Sequence, residues 1–232
     1  MKMDEISNGP EQIESDTSDL PDEVGVSEAD DLPKEIGSSE LNDLPDEINN
    51  IEELPPNSKM KIEGKTYYTD DNGNVYRVES RLLPKTEYQI NGYRYKTDSE
   101  GKIISASGKI QKKDHDGRPA ITSTMDEVGR GDQKVTDDRG HLIADRFNGG
   151  NGLENLIPMD SELNRKGGDY YKLEDYLADA VESGAGVYVD IEVLYDEDSA
   201  RPTEFRIIVI IDGKMDDIYV FKNEGGCNND EG

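Results

Sequence analysis

The chain has 232 residues, a formal net charge of −27 and an apolar fraction of only 32%. On a prior of about 150 residues per domain it holds one or two domains, and a chain this polar cannot be mostly core. Polyanion binding is driven by lysines and arginines that displace counterions, so a basic sheath around nucleic acid is excluded and any chemistry on nucleic acid must be local.

The charge is unevenly spread. Residues 1–59 carry 3 basic and 18 acidic side chains, residues 60–108 carry 8 and 7, and residues 109–232 have a net charge of −13. The longest strictly aliphatic run, Ile207 to Ile211, falls far short of the ~20 residues that span a bilayer. Seven charges in the first twenty residues oppose a Sec signal, so no membrane partner and no Sec export are expected. One cysteine, Cys227, permits neither an intramolecular disulfide nor a cysteine-built zinc site.

Residues 1–59 contain a twelve-residue repeat, Asp19-Leu20-Pro21, Asp31-Leu32-Pro33 and Asp43-Leu44-Pro45, with a weaker copy at Leu54-Pro55. Each unit offers two or three apolar side chains among like charges, and proline blocks a continuous helix, so burial cannot offset chain entropy. The segment is expected to be a disordered acidic linker, or else a set of Leu-Pro motifs that dock a partner.

A second repeat, at an offset of 28 residues, matches Ile62, Gly64, Tyr67, Thr69-Asp70 and Gly73 to Ile90, Gly92, Tyr95, Thr97-Asp98 and Gly101. Asn72-Gly73 and Glu100-Gly101 sit between Tyr-, Val- and Ile-rich segments, the pattern of β-hairpins. Isolated hairpins are marginal in water, so 60–108 should lean on a neighbour or serve as a connector.

Residues 109–224 read as an independent α+β domain, followed by a polar tail at 225–232. Leu173, Tyr176, Leu177, Ala180 and Val181 form one stripe of a helix over 170–183, with Asp169 placed to cap it and Gly184 to end it. Val187 to Tyr195 alternates as a half-buried strand, Phe205 to Ile211 reads as a more fully buried one, and Asp212-Gly213 turns the chain toward Ile218 to Phe221.

Two histidines are present. His115 lies in a polar, loop-like stretch and reads as solvated. His141 follows Asp138-Arg139-Gly140 and runs into the strand-like Leu142-Ile143-Ala144, where it is either a hydrogen-bonded structural residue or a functional one.

With Asn155, Leu163-Asn164 and Leu173-Glu174 following in order, this block resembles the ββα-metal, or His-Me finger, DNA/RNA non-specific endonucleases. Gly140 to Gly150 is similar to the subgroup found as C-terminal toxin modules of bacterial polymorphic toxins. The resemblance covers about residues 110–223 and implies a ββα-metal core with an antiparallel sheet and packed helices. It implies His141 as general base, Asn164 as the protein ligand of one Mg²⁺, Glu174 as a holder of the metal's water shell and Arg139 as a stabiliser of phosphate charge. Asn155 would orient the loop around His141.

Those roles suit the chemistry, because a neutral imidazole accepts a proton near neutral pH and Mg²⁺ is satisfied by few protein oxygens. Arg146, Arg165 and Lys166, with Lys172 nearby, would line a substrate cleft; alternatively these cations merely neutralise Asp145, Glu162 and Asp169. The chain is longer between Asn164 and Glu174, and shorter between His141 and Asn164, than in the family's larger members.

The implied function is cleavage of DNA and/or RNA in a bacterial target cell reached by a non-Sec route, with an immunity protein as partner. Because no obvious secretion domain is seen, the chain is either delivered by a route that leaves no recognisable signal or is a module of a longer toxin. A catalytically inactive acidic binder or nucleic-acid mimic is the alternative from another class.

Overall fold

The computed structural model describes residues 54–113, 117, 119–196 and 198–224. The three full Leu-Pro repeats, His115, Cys227 and the polar tail lie outside the described residues.

The 28-residue repeat has a physical cause in each residue it keeps. In the first copy, strands β1 (Lys59–Ile62), β2 (Lys65–Thr69), β3 (Val75–Val78) and β4 (Arg81–Leu82) form an antiparallel sheet in that order. Asp70 Oδ1 accepts from the amides of Asn72 and Asn74, and Asp98 Oδ1 accepts in the same way from Glu100 and Lys102 in the second copy. Thr69 and Thr97 each donate 2.6 Å to a preceding carbonyl, of Pro55 and of Leu83. Gly73 and Gly101 have φ of +82° and +72°, and a Cβ on either would lie 2.3 or 2.4 Å from a carbonyl oxygen, of Leu54 or of Leu82. Side-chain caps and a bare turn, rather than a core, specify each hairpin.

The second copy does not stand apart. Strands β5 (Glu87–Ile90), β6 (Tyr93–Thr97) and β7 (Ile103–Lys109) join β10 (Val187–Tyr195), β11 (Pro202–Ile211) and β12 (Lys214–Lys222) in one six-stranded antiparallel sheet, ordered β12-β11-β10-β7-β6-β5. β7 pairs with β10, placing Ala106 opposite Ile191, so the boundary expected after residue 108 falls inside a strand. Tyr88, Tyr93 and Tyr95 are fully buried and hydrogen-bond to Glu154 O, Phe147 O and Asn155 Oδ1. These tyrosines bury large apolar rings while their hydroxyls reach buried polar partners, which is how a marginal hairpin becomes part of the core.

A short helix α1 (Met125–Gly129) precedes the two-stranded sheet of β8 (Asp137–His141) and β9 (Leu156–Asp160). Helices α2 (Ser161–Asn164) and α3 (Asp169–Glu182) follow, completing the expected α+β arrangement of hairpin and helix. In α3, Tyr170, Leu173 and Leu177 are buried, whereas Tyr176 is exposed and its hydroxyl donates to Asp216. The helix is capped by Gly168, so Asp169 is its first residue rather than its cap. Val187, Val189, Ile191 and Val193 are buried on alternate positions of β10. In β11 only Phe205, Ile207 and Val209 are buried together with Pro202; Ile208 and Ile210 face the other side of the sheet and are half-buried, because side chains alternate along a strand.

The β8–β9 hairpin is held by a buried ion pair. Arg201 donates to both carboxylate oxygens of Asp137 at 2.7 Å, and its remaining guanidinium nitrogen reaches the carbonyl of Asn223. Asn223 in turn bridges Pro158 O, Pro202 O and the amide of Asp160, tying β9 to β11. Removing one partner of a buried pair strands the other charge. Arg201→Leu is therefore expected to cost about 3–5 kcal/mol, read as a fall in the urea midpoint with an unchanged slope.

Candidate active site

β8 ends on His141, whose ring is buried at one edge of an open cleft of about 640 Å³. Arg139, Arg146, Asn164, Arg165, Lys166 and Glu174 line the same cleft. The elements bring them together for local reasons. Asp160 at the end of β9 accepts from the Glu162 amide and starts α2, which delivers Asn164. Gly167 and Gly168 then turn the chain into α3, which delivers Glu174. A Cβ on Gly168 would lie 2.1 Å from Glu162 O, so this corner accepts no larger residue. The extra length between Asn164 and Glu174 is thus the corner that lets two helices address one cleft.

His141 Nε2 lies 2.9 Å from Asn151 Oδ1. Asn151 Nδ2 donates to Asp145 Oδ1 at 3.3 Å, and a carboxylate can only accept, so the amide oxygen must be the end that faces the ring. An amide oxygen also only accepts. The neutral imidazole therefore carries its proton on Nε2 and its lone pair on Nδ1.

Asn164 is oriented by the same logic. Its Nδ2 donates to Asp138 Oδ2 at 3.2 Å, which leaves Oδ1 as the end turned from that carboxylate. Asp138 also takes a bidentate pair from Arg165 at 2.8 and 2.9 Å. The Arg165 guanidinium, opposed by partial burial and helped by Asn164, holds the Asp138 carboxyl below the usual range. An amide oxygen and the Glu174 carboxylate are hard oxygen donors, and among the described residues no cluster of three or more His, Cys, Asp or Glu could hold a metal. Such a set suits a hard divalent ion that keeps most of its waters.

The arginines of the cleft already have partners. Arg139 donates to Ser123 O, Arg146 pairs with Asp175 and more loosely with Glu174 while stacking on Tyr171, and Lys166 is exposed. Lys172 lies outside the cleft and pairs with Asp169, and Asp145 is met by Lys113. Asn155 also lies outside the cleft. It is fully buried and its carboxamide donates to Ile143 O and Gly150 O while accepting from Ile143 N and Tyr95 Oη.

A family model described as DNA/RNA non-specific endonuclease matches residues 84–213. The chain belongs to that family. By that membership it is a hydrolytic nuclease, and the match begins at the second hairpin repeat, in accord with the shared sheet. Curated relatives named type VII secretion system protein EssD, from Staphylococcus aureus strains USA300 and NCTC 8325 / PS 47, are 32% identical over 184 residues. The match takes in 72% of this chain and 28% of each relative, so the nuclease spans little more than a quarter of their length. A crystal structure of NucA from Streptococcus agalactiae with no metal bound is similar at 15% identity and a TM-score of 0.46, over 81% of this chain and 90% of that one.

Two residues around the endonuclease cleft, Asn151 and Lys113, lie outside the motif reading, whereas Asp138 and Asp145 stand within the stretches that carry the resemblance but received no site role there. Asn151 and Lys113 carry no periodic signal, and only folding brings Lys113 to Asp145 across 32 residues.

Two predictions concern the loop behind His141. Asn155→Ala strands the amide and carbonyl of Ile143 and the carbonyl of Gly150, each costing about 1–3 kcal/mol when buried and unpaired; faster hydrogen exchange at the Ile143 amide is the expected readout. Glu154 accepts from the Gly152 amide, and burial pushes its carboxyl up despite that bond. The folded state then binds a proton more tightly than the unfolded one, so this residue subtracts stability as pH rises from its unfolded value through its raised folded value. Glu154→Gln is expected to raise the urea midpoint at pH 7 and to flatten its decline above pH 4.5.

Proposed function

We propose that this endonuclease is a Mg²⁺-dependent, largely sequence-non-specific enzyme that hydrolyses DNA and/or RNA as the toxic module of a bacterial competition system. The observation that carries the reading is the pairing, on one cleft, of an imidazole held in one tautomer and a carboxamide whose oxygen is turned away from its carboxylate partner.

His141 Nδ1 takes the proton of a water, the resulting hydroxide bonds to phosphorus, and the bond from phosphorus to the leaving oxygen breaks. Such proton transfer is worth about 10²–10⁴ in rate. Asn164 and Glu174 would hold the divalent ion, which when bound would supply Lewis-acid stabilisation of the phosphate. Arg139 offers a planar fork to the charge that develops on phosphorus, and Arg146, Arg165 and Lys166 receive neighbouring phosphates. Contacts to phosphate carry no base information, so cleavage is weakly selective. The chain is net acidic, but screening over about 8 Å at physiological salt lets the local cations act.

Among the described residues no helix is long and apolar enough to cross a membrane. The likeness to a type VII secretion system protein supports delivery to a target cell by a non-Sec route. A toxic nuclease must be silenced in its producer, which requires an immunity protein.

Plasmid and RNA digestion, followed with and without chelator, tests the reading. Wild-type cleavage of at least one substrate should require Mg²⁺ and vanish in EDTA. His141→Ala should lower the rate by about 10²-fold or more with circular dichroism unchanged, and Asn164→Ala should raise the Mg²⁺ concentration needed. Equal rates in wild type and His141→Ala would refute it.

A further inference from the structure

Behind His141 runs a chain of groups to which the family resemblance assigns no role. Lys113, on the segment that leaves β7, forms an ion pair with Asp145 Oδ2; Asp145 Oδ1 accepts from Asn151 Nδ2; and Asn151 Oδ1 faces His141 Nε2. The side chains of Lys113 and Asp145 are 19% and 11% exposed, so water screens this pair less than it would at the surface. Asn151 alone has no directional preference, since its carboxamide presents either a donor or an acceptor to the ring. Asp145 removes that freedom, because only the amide's NH₂ end can meet a carboxylate. Burial opposes the Asp145 charge, yet Lys113 and Asn151 hold its carboxyl below the usual range, and the electrostatic coupling extends to His141.

We propose that Asp145 and Lys113 are positioning residues for His141: Asp145 locks the Asn151 amide so that the imidazole stays in its Nε2–H tautomer, and the two opposite charges set how basic Nδ1 is. This rests on the proton-accepting role proposed for His141. Asp145 favours the imidazolium that forms during the reaction, and Lys113 moderates that effect from the far side. Other charged groups lining the cleft are Asp137, Asp138 and Arg139 from β8, Arg146 beside Asp145, Arg165 and Lys166 after α2, and Glu174 from α3; all stay constant in the comparison below.

The test uses the full chain in a His115→Gln background, so that nitrogen-15 spectra report the His141 ring alone. Wild type should show the Nε2–H pattern above neutral pH, and Asp145→Ala should show a mixture of tautomers. Removing the partner that orients an imidazole lowers activity by about 10–100-fold in comparable sites, and this loss should fall on kcat more than on KM. The acid limb of the pH–rate profile should move to lower pH in Asp145→Ala and to higher pH in Lys113→Gln, each by roughly half a unit or more. Loss of a mere loop anchor would instead move both variants the same way. A wild-type tautomer in Asp145→Ala, or shifts of one sign in both variants, overturns the inference. Should Asp145→Ala fail to fold, Lys113→Gln decides alone, with an upward shift supporting the relay and any other result overturning it. The spectra do not depend on cleavage, so an inactive wild type with the expected tautomers would count against the hydrolytic reading and not against the lock.

Discussion

The buried carboxamide of Asn155 is the constraint on which the site depends. It makes four hydrogen bonds, two donated and two accepted, and thereby joins three parts of the chain that would otherwise be independent: the strand exit after His141, the glycine-rich loop around Gly150, and Tyr95 of the second hairpin. A fully enclosed amide cannot find water as a substitute partner, so each of these segments is held at the position the others require. That is how a loop rich in glycine, which costs entropy to order, becomes rigid enough to carry an imidazole.

The hairpin repeat thereby acquires a structural meaning. Its tyrosines place hydroxyls on the carbonyls of Phe147 and Glu154 and on Asn155, so the second copy supports the loop that follows His141 as well as the six-stranded sheet. The first copy uses the same caps and the same bare turn. Its Asp70 and Asp71 accept from Gln89, Asn91 and Gly92, which ties one copy to the next. Repetition here sets one small antiparallel unit beside the next, each copy in its own sheet and each too short to bury its own faces.

Acidity and nuclease chemistry are reconciled at short range. Of the carboxylates around the cleft, Asp137 is matched by Arg201, Asp138 by Arg165 and Asp145 by Lys113. Two of these carboxylates, Asp138 and Asp145, also orient a carboxamide. Asp138 turns the Asn164 oxygen outward, and Asp145 does the same for the oxygen of Asn151. In both cases an anion that can only accept hydrogen bonds resolves the ambiguity of a carboxamide, a use of charge that whole-chain electrostatics does not reveal.

The amino-acid sequence by itself determined the helix, read over 170–183 and formed over Asp169–Glu182, the alternating strand at 187–195, the turn at Asp212-Gly213 and the hairpin tips at Gly73 and Gly101, because these depend on local periodicity and on turn residues. The order of His141, Asn164 and Glu174 was legible only as a resemblance to the endonuclease motif, and the fold brings the three to one cleft. Only the tertiary structure decided that β7 and β10 share a sheet, that Arg201 closes on Asp137 across 64 residues, and that Lys113 reaches Asp145. Strand pairing and buried ion pairs are satisfied by whichever partner folding brings near, and nothing in either partner's own neighbourhood along the chain names the other.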